Sequence, residues 1–370
     1  MPRTKEIEGF LHAVGWGDAD KAPMAGDAST RRYVRLRHGP NTAILMDQPQ
    51  GSESAVCPPA ATPEERARLG YNAVARLAGA NTQQFVAIAE ELRARSLSAP
   101  KILAHDFDRG FVLLEDLGDA RFADIIAQGA PERPLYEAAI DVLAHLHRAP
   151  APVLMTGSAG REAHLLEYDA PAMLAEVALL TDWFVPAASG APCPEAAAQE
   201  YQALWVEALR RLSGDDPVLT LRDYHAENLM WLPDRSGPAR VGLLDFQDAL
   251  AGLPAYDLIS LLEDARRDVT PELASAMMDR YVAIRRNEGR PFDERAFRQD
   301  AAILAAQRNA KIIGIFARLW RRDGKPKYLG YLPRMWGYME RDLVHPAMAD
   351  LRAWMGRIVP QRLRGAIAAG

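Results

Sequence analysis

The chain has 370 residues, 49% hydrophobic and 25% charged, the composition of a folded globular protein long enough for two compact parts, with no sign of extended disorder. Its net charge of −5 argues against a general nucleic-acid binder, which needs a basic surface, and its two cysteines, Cys57 and Cys193, are too far apart for a CxxC zinc site or a disulfide framework. Charges interrupt the first twenty residues, and no run approaches 18 apolar residues, so neither a signal peptide nor a membrane span is expected, and both thiols read as free in a reducing cytoplasm.

Residues 6–16 open as a short amphipathic helix, with Ile7, Phe10, Leu11 and Val14 at helical spacing. Two strand-like runs follow, 32–36 and 42–46, and Gly39, Pro40 and Asn41 between them read as a hairpin turn. Residues 47–64, rich in Pro, Gln, Ser and Glu, read as a mobile loop, 85–97 as a helix, and 111–114 as a strand running into Glu-Asp-Leu-Gly-Asp. Helical spacing then dominates over 136–147, 172–183 and 198–212, with loops at 149–166 and 184–196. The only later strands expected are short runs at 218–221, 229–232 and 241–244. No repeat with a period of 20–50 residues is visible, which argues against a solenoid.

The chemistry concentrates between Leu221 and Leu258. Asp223 and Asn228 stand five positions apart on a polar loop, and Asp245 follows 17 residues later, after the apolar run 241–244. This order suits phosphoryl transfer, in which positioning and charge neutralisation do most of the catalysis. Asp223 can orient an attacking hydroxyl and accept its proton, while Asn228 and Asp245 offer the hard oxygens that Mg²⁺ prefers. Singly, each residue reads as readily as a turn or strand-end residue; the order, the spacing and the flanking apolar runs together favour the catalytic reading.

The pattern Asp223-x-His225-x-x-Asn228, followed by Asp245-Phe246-x-Asp248-Ala249-x-x-Gly252-x-Pro254-x-x-Asp257-Leu258, resembles the aminoglycoside phosphotransferase and choline kinase family. Residues 25–36 and 312–329 are similar to the bacterial anomeric N-acetylmuramate/N-acetylglucosamine kinases of cell-wall recycling. The resemblance implies an α+β, bilobal protein-kinase-like fold: a small β-rich N-lobe over 1–117 and a larger, mainly helical C-lobe over 118–370. It implies ATP and Mg²⁺ as cofactors and a neutral or anionic amino sugar as acceptor. Under that reading the hairpin covers the nucleotide, with Gly26, Ser29, Thr30 and Arg32 as phosphate-side candidates, and Glu115 to Leu117 form a hinge whose backbone meets the adenine. His225 braces the loop, and Asp257 caps the following helix or holds the loop's amides.

Two departures from the family pattern stand out. The lysine that grips the nucleotide phosphates is absent from "TAILMD", where Met46 and Asp47 occupy its region, so Arg31, Arg32 or Arg35 is left to supply the charge. Glu90 and Glu91 are both available as its usual helix partner, and Leu221 replaces a scaffold histidine. On a helix, Arg308, Lys311, Arg318 and Arg322 fall within an arc of roughly 80°, which reads either as a solvated basic face or as a sugar-binding stripe. Such a cluster would not attract a polycationic aminoglycoside. Tyr168, Asp169, Glu176, Asp182 and Trp183 are the facing candidates for sugar contacts, by resemblance. The expected protein is a cytoplasmic, monomeric kinase of small molecules that binds neither nucleic acid nor membrane; the alternatives are a kinase of another alcohol (aminoglycoside, amino alcohol or homoserine) and a nucleotide-binding pseudokinase.

Overall fold

The computed structural model describes residues 2–24, 30–49, 51, 55–157, 160, 162–214, 216–365 and 367. The chain forms two compact units, one of residues 1–146, 152–166 and 226–250, the other of 147–151, 167–225 and 251–370.

The first unit is built on a five-stranded antiparallel sheet of β1 (Asp20–Pro23), β2 (Arg32–His38), β3 (Asn41–Asp47), β4 (Ile102–Asp106) and β5 (Phe111–Glu115), in the order β1-β2-β3-β5-β4. The predicted hairpin is β2 and β3, paired from Arg32 with Asp47 to His38 with Asn41; Gly39, at φ 58°, takes the left-handed turn position that a side chain disfavours. The opening helix, Pro2–Ala13, lays Phe10 and Leu11 on Leu36, Ala43, Leu45, Phe111 and Leu113, burying the apolar face that its spacing announced. The helix Thr82–Ala94 starts where Asn81 accepts a hydrogen bond from the Gln84 amide at 3.2 Å.

The second unit is mainly helical and is organised around one 30-residue helix, Glu294–Asp323. Asp293 caps its start by accepting from the Ala296 amide at 3.0 Å, and Gly324, at φ 63°, ends it. Ala170–Leu179, a π-turn over Leu180–Phe184, Ala255–Leu262 and Leu332–Asp342 pack on this helix. The stretch Ala170–Ser189 is long and apolar enough to cross a bilayer by composition alone, although it carries Glu176 and Asp182. Met173, Val177, Leu180, Phe184 and Val185 are nonetheless buried in this fold, which makes the stretch a core segment here.

Several expectations are corrected. Loop 47–64 ends in a capping box, with Thr62 and Glu65 exchanging hydrogen bonds to start the helix Pro63–Leu69. Segment 149–166 contains the hairpin Leu154–Thr156 with Glu162–His164, and segment 184–196 contains the short helix Val185–Ser189. A strand also forms at Leu250–Gly252, beyond the three foreseen. These elements escape notice because each is too short to show a period.

Candidate active site

In the first unit, the strands Leu229–Trp231 and Val241–Leu243 pair antiparallel, Leu229 opposite Leu243. One step further the Leu244 amide donates to the Asn228 carbonyl at 3.0 Å, so Asn228 and Asp245 emerge at the same end of this hairpin. Phe246 stacks on Phe85 with ring centroids 4.9 Å apart, and Asp248 accepts from the Ala78 amide at 2.6 Å, which anchors the turn on both sides of Gln247. Asp245 sits at φ 56°, a conformation costing a non-glycine residue about 1–3 kcal/mol and concentrated at functional sites. Its carboxylate accepts from Arg31 Nη2 at 3.0 Å and Gln247 Nε2 at 3.1 Å. Asn228 and the half-exposed Asp245 at one hairpin end carry hard oxygens of the kind that Mg²⁺ takes.

Of the phosphate-side candidates, Gly26 and Ser29 lie outside the described residues. Thr30 is exposed and accepts from Gln48 Nε2 at 3.0 Å, and Arg32 is exposed at the start of β2. Met46 and Asp47 are buried, and Asp47 is paired with Arg3, so neither of these two β3 residues supplies a cation itself. Among the three candidate arginines, Arg31 meets Asp245, whereas Arg35 binds Asp116 at 2.8 Å and Asp119 at 2.7 Å and also donates to the Gly118 carbonyl. Asp116 in turn accepts from the Gly118 amide at 3.0 Å, so this arginine stiffens the expected hinge. The Glu115 amide is already committed to the Lys101 carbonyl at 2.9 Å, and Leu117 packs beside Gly242, where an added Cβ would lie 3.0 Å from its side chain. Glu91 pairs with Arg95 one helical turn on.

In the second unit, Asp223 is half-buried on a loop held from several directions. Asp257 accepts from the Leu221 amide at 2.6 Å and the Arg222 amide at 2.8 Å, while Ser260 Oγ donates to the Arg222 carbonyl at 3.0 Å. Burial pushes the Asp257 carboxyl up to about 7, the two amides pull it back, and the nearby Asp223 charge adds to the rise. His225 is buried, with Nε2 3.1 Å from Arg266 Nη1; a guanidinium only donates, so Nε2 accepts and the imidazole proton sits on Nδ1.

Beneath this loop lies a buried charge cluster. Glu176 is fully buried, its Oε1 paired with Arg222 and with Lys311 Nζ at 3.0 Å, its Oε2 accepting from Tyr168 Oη and from Gln307 Nε2 at 3.0 Å. Burial alone would raise the Glu176 carboxyl, but the Lys311 and Arg222 cations and the two hydrogen bonds hold it below its ordinary value. Lys311 is raised despite burial and the neighbouring Arg222 charge, because Glu176, Tyr256 and Asp223 favour its ammonium form. Asp169 caps the helix Ala170–Leu179 by accepting from the Ala172 amide at 3.1 Å.

Residues 22–298 match the phosphotransferase enzyme family. The chain belongs to that family. It is 47% identical to an N-acetylmuramate/N-acetylglucosamine kinase of Caulobacter vibrioides over 96% of both chains, and 30% identical to a kinase of the same name from Pseudomonas aeruginosa over 92% of this chain and 89% of the relative. Among solved structures it resembles a choline kinase from Streptococcus pneumoniae, with a TM-score of 0.58 at 13% identity, covering 94% of this chain and 99% of that one. An ADP-bound aminoglycoside phosphotransferase gives a TM-score of 0.53 at 13% identity, covering 91% and 98%. At such identities the structures speak for the fold, and the fold is kinase-like, α+β, with an antiparallel N-terminal sheet and a larger helical part.

The basic stripe of this phosphotransferase divides by environment. Arg308 is only 4% exposed and donates to the Glu263 carbonyl at 3.0 Å, Arg322 is exposed and tied to Asp323, and Lys311 joins the buried cluster. A single solvated face therefore does not describe it, because the helix is buried on more sides than its apolar spacing suggests. Tyr168, Glu176 and Lys311 come together, whereas Asp169 serves as a cap. Sequence reasoning missed Arg222, Ser260 and Gln307. The signal for the first was available: a lone acid inside "AMLAEVALL" must bury with a cationic partner or not at all.

Proposed function

We propose that this phosphotransferase transfers the terminal phosphoryl group of ATP to the anomeric hydroxyl of N-acetylmuramate, N-acetylglucosamine or both. The supporting observation is the 47% identity over 96% of both chains with a kinase named for these two sugars. In this reading Asp223 orients the anomeric hydroxyl and takes its proton, while His225 and Asp257 hold the loop that carries it. Asn228 and Asp245 are the residues that would hold Mg²⁺, which would supply charge neutralisation on the transferring phosphate. Thr30 and Arg32 line the phosphate side, with Arg31 at Asp245 as the cation replacing the family's lysine. Glu115 to Leu117 form the hinge between lobes spanning 1–117 and 118–370. On the sugar side, Lys311, whose side chain keeps 14% exposure beside Glu176, is assigned as the cation facing the lactyl carboxylate of N-acetylmuramate. The product is a sugar 1-phosphate fit for a uridylyltransferase, which suits a cytoplasmic, monomeric enzyme of peptidoglycan recycling.

The test blocks the nucleophile. A 1-O-methyl glycoside of N-acetylglucosamine is expected to give no phosphorylated product, whereas a 6-deoxy analogue still reacts, as read by phosphorus NMR. Phosphorylation of the methyl glycoside at a useful rate moves the acceptor to another hydroxyl. Turnover of aminoglycosides or amino alcohols in preference to both sugars replaces the substrate class.

A further inference from the structure

We propose that Glu176 is a positioning residue for Asp223: from inside the core it fixes the side chain of Arg222, the residue next to the base, and couples that loop to Lys311. The inference rests on the kinase reading of Asp223 and goes beyond it by assigning Glu176 to the loop and not to the sugar.

Three observations carry it. First, a carboxylate offers about four acceptor sites, and four donors fill those of Glu176, two cations on one oxygen and two neutral groups on the other. With no exposed surface and no vacant acceptor site, Glu176 has nothing left to offer a sugar hydroxyl. Second, Arg222 stands at φ 70°, a backbone state costing a non-glycine residue about 1–3 kcal/mol. It is held there at every handle: the amide by Asp257, the carbonyl by Ser260, the guanidinium by Glu176, with the Tyr168 ring 4.9 Å from the guanidinium carbon. A residue clamped at amide, carbonyl and side chain dictates the direction in which the next residue leaves the chain. Third, the cluster pairs two cations with one buried anion, and Asp223 is the further negative charge that acts on Lys311. Removing the Glu176 charge would leave two buried cations facing each other beside the base, a strongly unfavourable arrangement.

The test is steady-state kinetics of Glu176→Gln, with ATP-binding stoichiometry confirming that the same fraction of molecules is folded. Expected is a fall in kcat of about tenfold or more, the scale of a displaced base, with the KM for N-acetylglucosamine, which has no lactyl carboxylate to meet Lys311, within about twofold of the parent. Glu176→Asp should recover part of the loss. In an Asp223→Asn background the same substitution should cost nothing further, because its effect runs through Asp223. A rise in the KM for N-acetylglucosamine at constant kcat, parental kinetics, or a full additional loss in the Asp223→Asn background each overturns the proposal. If Glu176→Gln does not fold, Glu176→Asp and Tyr168→Phe, which removes only one hydroxyl from the cluster, are read by the same kcat and KM criteria. A parent enzyme that phosphorylates a different alcohol overturns the acceptor reading alone, and the variants are then read on that alcohol.

Discussion

At the scale of single residues, the proposed mechanism gives Asp223 the base's task and Asp245 a metal ligand's, so the two should fail differently. Asp223→Asn keeps the size of the side chain but removes the proton acceptor, so kcat is expected to fall about 10²-fold or more with ATP affinity nearly intact. Equal loss of ATP affinity would refute the base assignment. Asp245→Asn weakens a metal ligand, so its residual activity should rise with added Mg²⁺; a residual rate indifferent to Mg²⁺ would remove Asp245 from the metal site. The sequence singles these residues out because the chemistry proposed for them requires a fixed order and spacing. Arg31 was one of three arginines there, and only the fold brings it within 3.0 Å of Asp245 while Arg35 goes to Asp116.

At the scale of elements, the helix Glu294–Asp323 shows how a close approach sets a residue choice. An added Cβ at Gly314 would lie 2.3 Å from the Leu179 carbonyl carbon and 2.5 Å from its oxygen, and backbone atoms cannot swing aside as a flexible side chain can. Gly314→Ala should therefore cost about 1–3 kcal/mol despite the better helix propensity of alanine. Urea unfolding measures this, and an unchanged or raised midpoint would show that the two segments separate easily. The periodic helices were readable from spacing, although their ends shift by a few residues as capping decides them. The strand Asp20–Pro23 was not: all four of its residues are exposed, so it carries no apolar alternation and exists only because β2 offers it a partner.

At the scale of the whole molecule, buried carboxyls tie stability to pH. Asp257 ordinarily titrates near 3.8 and is pushed up to about 7 by burial, so the fold keeps a proton that the unfolded chain has lost over this interval. Its contribution is fully present below about pH 4, declines as pH rises, and is gone above about 7, a change on the order of 4 kcal/mol. Glu263 and Asp342, raised chiefly by burial, act in the same direction, while the lowered Glu176 acts in the opposite one. Asp257→Asn isolates the effect, because an amide does not titrate there. The stability gap between parent and variant, from urea unfolding at pH 5 and pH 8, should shift against the parent at the higher pH; a gap independent of pH would mean that Asp257 is ionised throughout.

The sequence alone determined the kinase-like fold class and the reaction type, and it singled out Asp223, Asn228 and Asp245 as the expected base and metal ligands, since motif spacing along a chain survives without coordinates. It also pointed to His225 and Asp257 as expected loop supports, although whether Asp257 capped its own helix or reached another segment stayed open. The tertiary structure decided that Asp257 takes the amides of Leu221 and Arg222, that Glu176 gathers Arg222, Lys311, Tyr168 and Gln307, and that Arg308 turns inward to Glu263. The physical reason is that a buried charge is tolerated only beside its partners, and those partners come from segments up to 135 positions away, Glu176 to Lys311, whose meeting no local pattern encodes.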